Sequence, residues 1–440
     1  MASPCAWRCS NGLSVKRLLI KNGRVIDPAS GFDGVADLAV EDGRIAALGA
    51  NLDSTGANVY DASGLVVAPG FIDIHVHLRE PGIEHAETIE SGSRAAAAGG
   101  FTSICCMPNT APVNDNATVT SYIVDRARKF AVTNVYPIGA ITRNSAGEEL
   151  AAIGSMKNAG IVAISDDGRP VMNARVMRRA MELARSLDLP VIDHCEDLNL
   201  SAGGDMHEGL TSTRLGLRGI PASSEDVMVA RDILLAQSTG ARFHVAHISS
   251  RHSVAMVAHA KKLGLAVTCE ATPHHFAITD ADVASYDSNY KMKPPLRSHC
   301  DVEAVIDGIV SGAVEVIATD HAPHPGSEKM QEFEKCPFGI LGLETALGLS
   351  LEKLVHSGRL SLGAMVALFT TGPARVLRLD RGTLATGSPA DITIFSTGVG
   401  WVYDVNQSFS RSRNSPFSGR KFRGGPMATI VAGSIVWRRD

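Results

Sequence analysis

The sequence predicts a (β/α)8, or TIM, barrel with a small β-sandwich built from both chain ends. Three observations support this. Short apolar, β-type runs alternate with amphipathic stretches through the middle of the chain. Polar side chains able to bind metal recur at the C-terminal ends of those runs, where barrel enzymes place their sites. The two ends read differently, as strands separated by turn residues. A chain of 440 residues exceeds one small core, so a large domain plus a smaller one is expected.

Residues 1–15 are expected to be a disordered extension, since MASPCAWRCSNGLSVKR lacks the apolar stretch of a secretory signal. Cys5 and Cys9 have no further ligands nearby. Residues 16–68, with RLLIKNGRVID, GVADLAVEDGRIAALG and ANVYDASGLVVAPG, form the first part of the sandwich. Residues 69–383 form the barrel, with strands expected at 71–77, 101–107, 134–138, 161–165, 190–194, 242–247, 265–270 and 314–319. Helices are expected at 173–187, 224–237, 251–263 and 301–311. Residues 384–440, with SPADITIF and MATIVAGSIVW, complete the sandwich. A doubly wound sheet is the alternative, but no glycine-rich phosphate loop opens the first helix.

Composition narrows the function. With 45% hydrophobic and 20% charged residues the chain reads as an ordinary soluble globular protein. A net charge of −4 and a pI near 6.4 give no reason to expect nucleic acid or an anionic membrane as partner. No run reaches the ~18 apolar residues of a transmembrane helix. Eight cysteines in a chain this long do not suggest a disulfide framework; Cys105, Cys106 and Cys269 lie in apolar runs, and a reducing cytoplasm is expected.

The chemistry gathers at the strand ends. His75 and His77, in GFIDIHVHLREPG, are two apart on a strand and so face one point. Strand four ends in Ser165-Asp166-Asp167-Gly168, and strand five in Asp193-His194-Cys195-Glu196. Strand six ends in His247; strand eight ends in Asp320, followed by His321 and His324. Four histidines and two aspartates at one barrel mouth suit zinc or a similar divalent ion. Arg79 adds a planar fork for an anion. His274 and His275, in TPHHF, leave two readings open, lining the site or supporting loops. His244 precedes His247 by an odd number of residues, so it is expected on the opposite face. His252, His259, His299 and His356 fall on expected helices or loops.

DIHVHLREPG, MPNT at 107–110, SDDG at 165–168, DHCED at 193–197 and ATDHAPH at 318–324 together resemble the cyclic amidohydrolase superfamily. SRSRNSPFSG and GILGLET place the resemblance with class I dihydroorotases of bacterial type, from about residue 16 onward. The resemblance implies reversible, metal-dependent closure of N-carbamoyl-L-aspartate to dihydroorotate and water, a step of pyrimidine synthesis.

By the same resemblance, His75, His77 and Asp320 hold the more buried metal, His194 and His247 a second, and Asp167 bridges the two. A carboxylated lysine more often bridges in the superfamily, but Lys157 precedes strand four, toward the wrong end. One or two Zn2+ ions are therefore expected, and other divalent metals fit the same ligands. Asp320 is expected to take a proton from the attacking water and pass it to the departing amide nitrogen.

His77, Arg79, Asn109, Lys293, His324, Phe338 and Gly339 fall at substrate-binding positions, with Arg79, Asn109 and His324 on the unreactive carboxylate. Lys293 departs from the family, which more often has asparagine there. The polar stretch 325–337 reads as a closing loop. A homodimer or an assembly with aspartate transcarbamoylase comes with the resemblance, and sequence leaves the choice open. Two other functions stay open at this level. One is a hydantoinase- or allantoinase-like amidase, against which the carboxylate set argues. The other is a partner-dependent or non-catalytic homologue scaffolding aspartate transcarbamoylase, against which the intact ligand set argues.

Overall fold

The computed structural model describes residues 17–440, so the expected extension with Cys5 and Cys9 lies outside the described residues. The chain opens with five strands, β1 (Arg17–Asp27), β2 (Phe32–Glu41), β3 (Arg44–Gly49), β4 (Asn58–Asp61) and β5 (Val66–Pro69). The barrel runs through β6 (Phe71–Val76), α1 (Ile89–Ala98), β7 (Phe101–Cys106), α2 (Ala117–Phe130), β8 (Asn134–Pro137), α3 (Ile153–Ala159), α4 (Ala174–Ser186) and β9 (Val191–Asp193). A short parallel pair, β10 (Met206–His207) and β11 (Gly219–Ile220), flanks α5 (Leu210–Leu215). Then follow α6 (Ser223–Thr239), β12 (Phe243–Val245), α7 (Arg251–Lys262), β13 (Val267–Ala271), α8 (Pro273–Ala277), α9 (His299–Val310) and β14 (Val316–Ile317). The chain ends in β15 (Ile392–Val402), β16 (Lys421–Val431) and β17 (Ser434–Arg438).

Parallel pairing runs β6–β7–β8, passes through Ile164, continues β9–β12–β13–β14, and closes where His321 bridges Val76. The circle is complete, so no edge is left to pair with another chain. The fourth expected strand, 161–165, is reduced to a bridge at Ile164. Its neighbours explain this: Val162 and Ile164 donate to the carbonyls of Pro137 and Pro190, and neither proline can donate back. Helices form where the periodicity says they should. In α4, Asn173 caps the first turn, and Val176, Met177, Ala180, Met181 and Ala184 form the buried stripe.

The chain ends meet in one eight-stranded sheet of order β17-β16-β15-β5-β1-β2-β3, with β4 also on β1. A register break between Ile20 and Gly23 splits β1 into a half that pairs with β4 and a half that pairs with β5. The folded sheet encloses its own core of Leu18, Val25, Leu38, Val67, Ile392 and Ile430. It is sewn to the barrel. Thr393 Oγ1 donates to the Gly100 carbonyl (2.6 Å) and accepts from the Phe71 N–H (3.0 Å), while Thr429 Oγ1 donates to Ala97 (2.6 Å). Phe71 stacks on Phe369 at 5.0 Å and packs 5.8 Å from Phe395, so one aromatic cluster spans the seam.

Candidate metal centre

The barrel mouth brings together all six residues expected as ligands. His75 Nε2 lies 3.3 Å from Asp167 Oδ1 and 3.4 Å from Asp320 Oδ1. His77 Nε2 lies 3.0 Å from Asp320 Oδ1 and 3.4 Å from Asp167 Oδ2. His194 Nδ1 and His247 Nε2 are 2.8 Å apart and lie 3.7 Å and 3.6 Å from Asp167 Oδ1. All six side chains are buried. Asp167 touches all four histidines although its side chain is short. The turn at 165–168, with Gly168 at φ 76°, brings its backbone in close. Lys157, on α3, is exposed and takes no part.

Three of the four rings, those of His75, His77 and His194, are held from behind, which settles which nitrogen faces inward, while His247 Nδ1 has no hydrogen-bond partner among the described residues. His75 Nδ1 donates to Glu270 Oε1 at 2.6 Å, so Nε2 is the nitrogen that faces the centre, and it offers a lone pair once its proton is displaced. His77 Nδ1 donates to Asn109 Oδ1 at 2.8 Å, and His194 Nε2 to Glu196 Oε2 at 3.2 Å. Two of these supports, Glu270 and Glu196, make the carboxylate–histidine arrangement that orients metal ligands, and Asn109 gives His77 an amide oxygen instead. Sequence reasoning missed Glu270 and passed over Glu196; a carboxylate inside an apolar strand run, as in VTCEA, is the signal that was there to find.

Two tests on this geometry fit a cation. His75 Nε2 and Asp167 Oδ1 are buried, face each other, and have no hydrogen-bond partner among the described residues. Such groups are costly unless something satisfies them. The field has the same sign: burial opposes charge on His75, yet Asp167, Asp320 and Glu270 outweigh it and raise its pKa well above the usual imidazole value. Burial likewise opposes charge on Asp320, but His75 and His77 hold its carboxyl well below the usual range. The centre therefore asks for positive charge among N and O donors, which a divalent ion supplies.

The mouth also carries a side suited to an anion. Arg79 Nε donates to the Pro323 carbonyl (3.2 Å), and its Nη2 lies 3.4 Å from His324 Nε2. Burial and then Arg79 push His324 down to about 3, so at neutral pH it is an uncharged ring beside a guanidinium. Asn109 spends its oxygen on His77, which leaves only its Nδ2 side for a substrate. Lys293 pairs with Glu196 at 2.8 Å and lies 5.0 Å from the Phe338 ring, so it backs the support of His194. Gly339 donates to the Lys291 carbonyl (2.9 Å) and its own carbonyl accepts from Asn414 Nδ2 (3.0 Å), so its backbone is already engaged. A side chain on Gly339 would meet the Ala322 oxygen at 2.6 Å and His324 at 2.7 Å.

Two histidine readings are settled here. His244 does not turn away from the centre: its Nε2 lies 3.2 Å from Glu270 Oε2. Strand alternation ends at Val245, and His247 lies beyond it at φ 32°, so an odd spacing no longer means opposite faces. His275 supports a loop, with Nε2 on the Pro294 carbonyl at 2.8 Å, and shares the Thr272 hydroxyl with His274. His321 faces elsewhere, toward Glu87 at 3.3 Å. Arg79, His247 and Asp320 adopt φ values of 61°, 32° and 45°. Non-glycine residues rarely do so, and such strain gathers at functional sites.

Known proteins resemble this chain along nearly its whole length. A profile described as dihydro-orotase-like matches residues 64–253. The chain is 71% identical over 423 residues to a dihydroorotase of Solibacter usitatus, covering 96% of this chain and 98% of that one. It is 56% identical to a dihydroorotase of Pelotomaculum thermopropionicum, with the same coverage of each chain. Among solved structures, the L-hydantoinase (dihydropyrimidinase) of Arthrobacter aurescens superposes with a TM-score of 0.87 at 26% identity, covering 96% of both chains.

Proposed function

The chain belongs to the dihydroorotase family, and we propose that it closes N-carbamoyl-L-aspartate to dihydroorotate and water, and reopens that ring, at the histidine–aspartate centre. The observation that carries the site assignment is the pairing of a buried, under-satisfied set of four histidines and two aspartates with an arginine–histidine anion site at the same mouth.

In this reading His75, His77 and Asp320 hold one ion, and His194 and His247 a second. Asp167 would serve both, since its Oδ1 faces His75, His194 and His247 while its Oδ2 faces His77. A bound divalent ion, zinc by its donor set, supplies a polarised carbonyl and a more acidic water. Asp320 is ionised and desolvated, 3.0 Å from His77 Nε2. It takes the proton from the attacking water and delivers it to the amide nitrogen as the ring opens; closure reverses both transfers. Arg79 grips the carboxylate that never reacts, with neutral His324 and the Nδ2 of Asn109 beside it. Phe338, with Lys293 against its ring, would offer its backbone groups to the substrate's ring amides. With its backbone already engaged, Gly339 gives the His324 ring room.

The six described cysteines are unpaired, and among the described residues no helix is long and apolar enough to cross a membrane. Both support a cytoplasmic enzyme. A homodimer or an assembly with aspartate transcarbamoylase rests on the family resemblance. The test is an assay of purified, zinc-loaded protein for opening of dihydroorotate and closure of N-carbamoyl-L-aspartate, with hydantoin and allantoin alongside. Turnover of the dihydroorotate pair alone is expected; preferred turnover of hydantoin overturns the substrate.

A further inference from the structure

One buried carboxylate behind the centre touches both of its halves. Glu270, on β13, has no solvent exposure. Its Oε1 accepts from His75 Nδ1 at 2.6 Å and from the backbone N–H of His247 at 3.3 Å. Its Oε2 accepts from His244 Nε2 at 3.2 Å, and His244 Nδ1 lies 2.7 Å from the Thr268 hydroxyl. The backbone carbonyl of Glu270 also accepts from the Ile248 N–H at 2.8 Å. The peptide planes on either side of the His247 Cα are therefore both tied to one residue, at a φ of 32° that needs holding.

We propose that Glu270 is a positioning residue that sets the spacing between the two ion positions, by fixing the His75 ring and the strained His247 backbone with one side chain. The inference rests on the metal reading of the preceding subsection. The other supports each hold a single ring, Asn109 that of His77 and Glu196 that of His194. Glu270 spans the centre from strand one to strand six. His244 and Thr268 act behind it as a stop, so the carboxylate cannot swing away from His75. An amide in its place keeps the size and one acceptor but loses the charge; alanine loses all three side-chain contacts.

The experiment titrates chelator-treated full-length protein with zinc alone, and measures kcat and KM for dihydroorotate on zinc-saturated samples. Wild type, Glu270→Gln, Glu270→Ala and Glu225→Gln are compared. Glu225 is also a buried carboxylate; it pairs with Arg297 and accepts from the Ser249 and Ser250 N–H groups without touching a ligand, so it controls for general damage, including loosening of the segment after His247. The expected result is graded. Glu270→Ala loses zinc affinity by about 10–100-fold and Glu270→Gln by less. In both, kcat falls with little change in KM, and Glu225→Gln keeps wild-type zinc affinity.

Wild-type zinc affinity and stoichiometry in Glu270→Ala overturn the proposal, as does an equal loss in Glu225→Gln. If the alanine variant fails to fold, wild-type affinity in Glu270→Gln overturns it. A wild type that binds no zinc overturns this inference and the metal reading together. Zinc binding with the graded loss, but without turnover of dihydroorotate, leaves this inference standing and removes only the substrate assignment.

Discussion

At the scale of single residues, the proposed function gives three side chains distinct roles, and each makes a separate prediction. Asp320→Asn should cut turnover by about 10²–10⁴-fold, the usual contribution of a proton-transfer group. Asparagine tolerates the positive φ of 45°, so circular dichroism should be unchanged. Near-normal kcat in that variant would remove Asp320 as acid and base. Arg79→Lys keeps charge but loses the fork, so KM for dihydroorotate should rise about tenfold or more with a smaller change in kcat. An unchanged saturation curve would remove the clamp. His75 bears on pH. Asp167, Asp320 and Glu270 raise its metal-free pKa above the usual imidazole value, so a proton competes with zinc for this ring more strongly than for a free imidazole. Raising the pH removes that competitor, and zinc affinity should climb by about tenfold per pH unit for each proton displaced, and fall as pH drops. Calorimetry at pH 6 and pH 8 checks this; equal affinity at both would mean that His75 is already neutral. These residues were legible because each stands at a strand end in a distinctive pair or motif. Glu270 and Glu196 were not, because their partners are set by tertiary contact across strands.

At the scale of elements, the loops over the mouth are held by buried donors. Lys329 Nζ donates to the carbonyls of Pro337 (2.9 Å) and Gly339 (3.2 Å), and Lys291 Nζ to those of Phe333 (2.6 Å) and Glu334 (3.0 Å). The stretch 325–337 is thus clasped from inside, although the sequence reads as a polar surface loop. Asn414, in SRSRNSPFSG, accepts from the His324 N–H (3.0 Å) and donates to Ala322 (2.9 Å) and Gly339 (3.0 Å). Asn414→Ala leaves three backbone groups without this partner, at about 1–3 kcal/mol for each left unsatisfied. A lower thermal midpoint with a raised KM is expected; a normal KM would show that His324 is placed by other contacts. The barrel helices and most strands were legible from periodicity. The fourth strand was overread, because its run of apolar residues does not show that Pro137 and Pro190 stand opposite it.

At the scale of the whole molecule, sheet and barrel are one structure. The β5–β15 pairing joins residues more than 300 apart in sequence, through Ile392 with Pro69 and Thr393 with Ala68. The Phe71 cluster then locks that pairing to the barrel. One calorimetric transition is expected for the intact chain, and removal of residues 421–440 should abolish cooperative folding, since β16 supplies Ile430 to the sheet core and Thr429 to the seam. Two separated transitions would contradict a shared seam. The two-part architecture could be read from the sequence because the ends and the middle have different periods; the single folded sheet could not, because its register is set by pairing between distant segments. In the proposed function the histidine–aspartate centre serves a ring bearing a carboxylate. The most direct measurement is the ratio of kcat/KM for dihydroorotate to that for dihydrouracil, which lacks only the carboxylate, on one zinc-loaded sample. A preference of about 10³-fold or more for dihydroorotate is predicted, because Arg79 and His324 would be left unpaired by the other ring. Equal turnover of the two, or a preference for dihydrouracil, would contradict it.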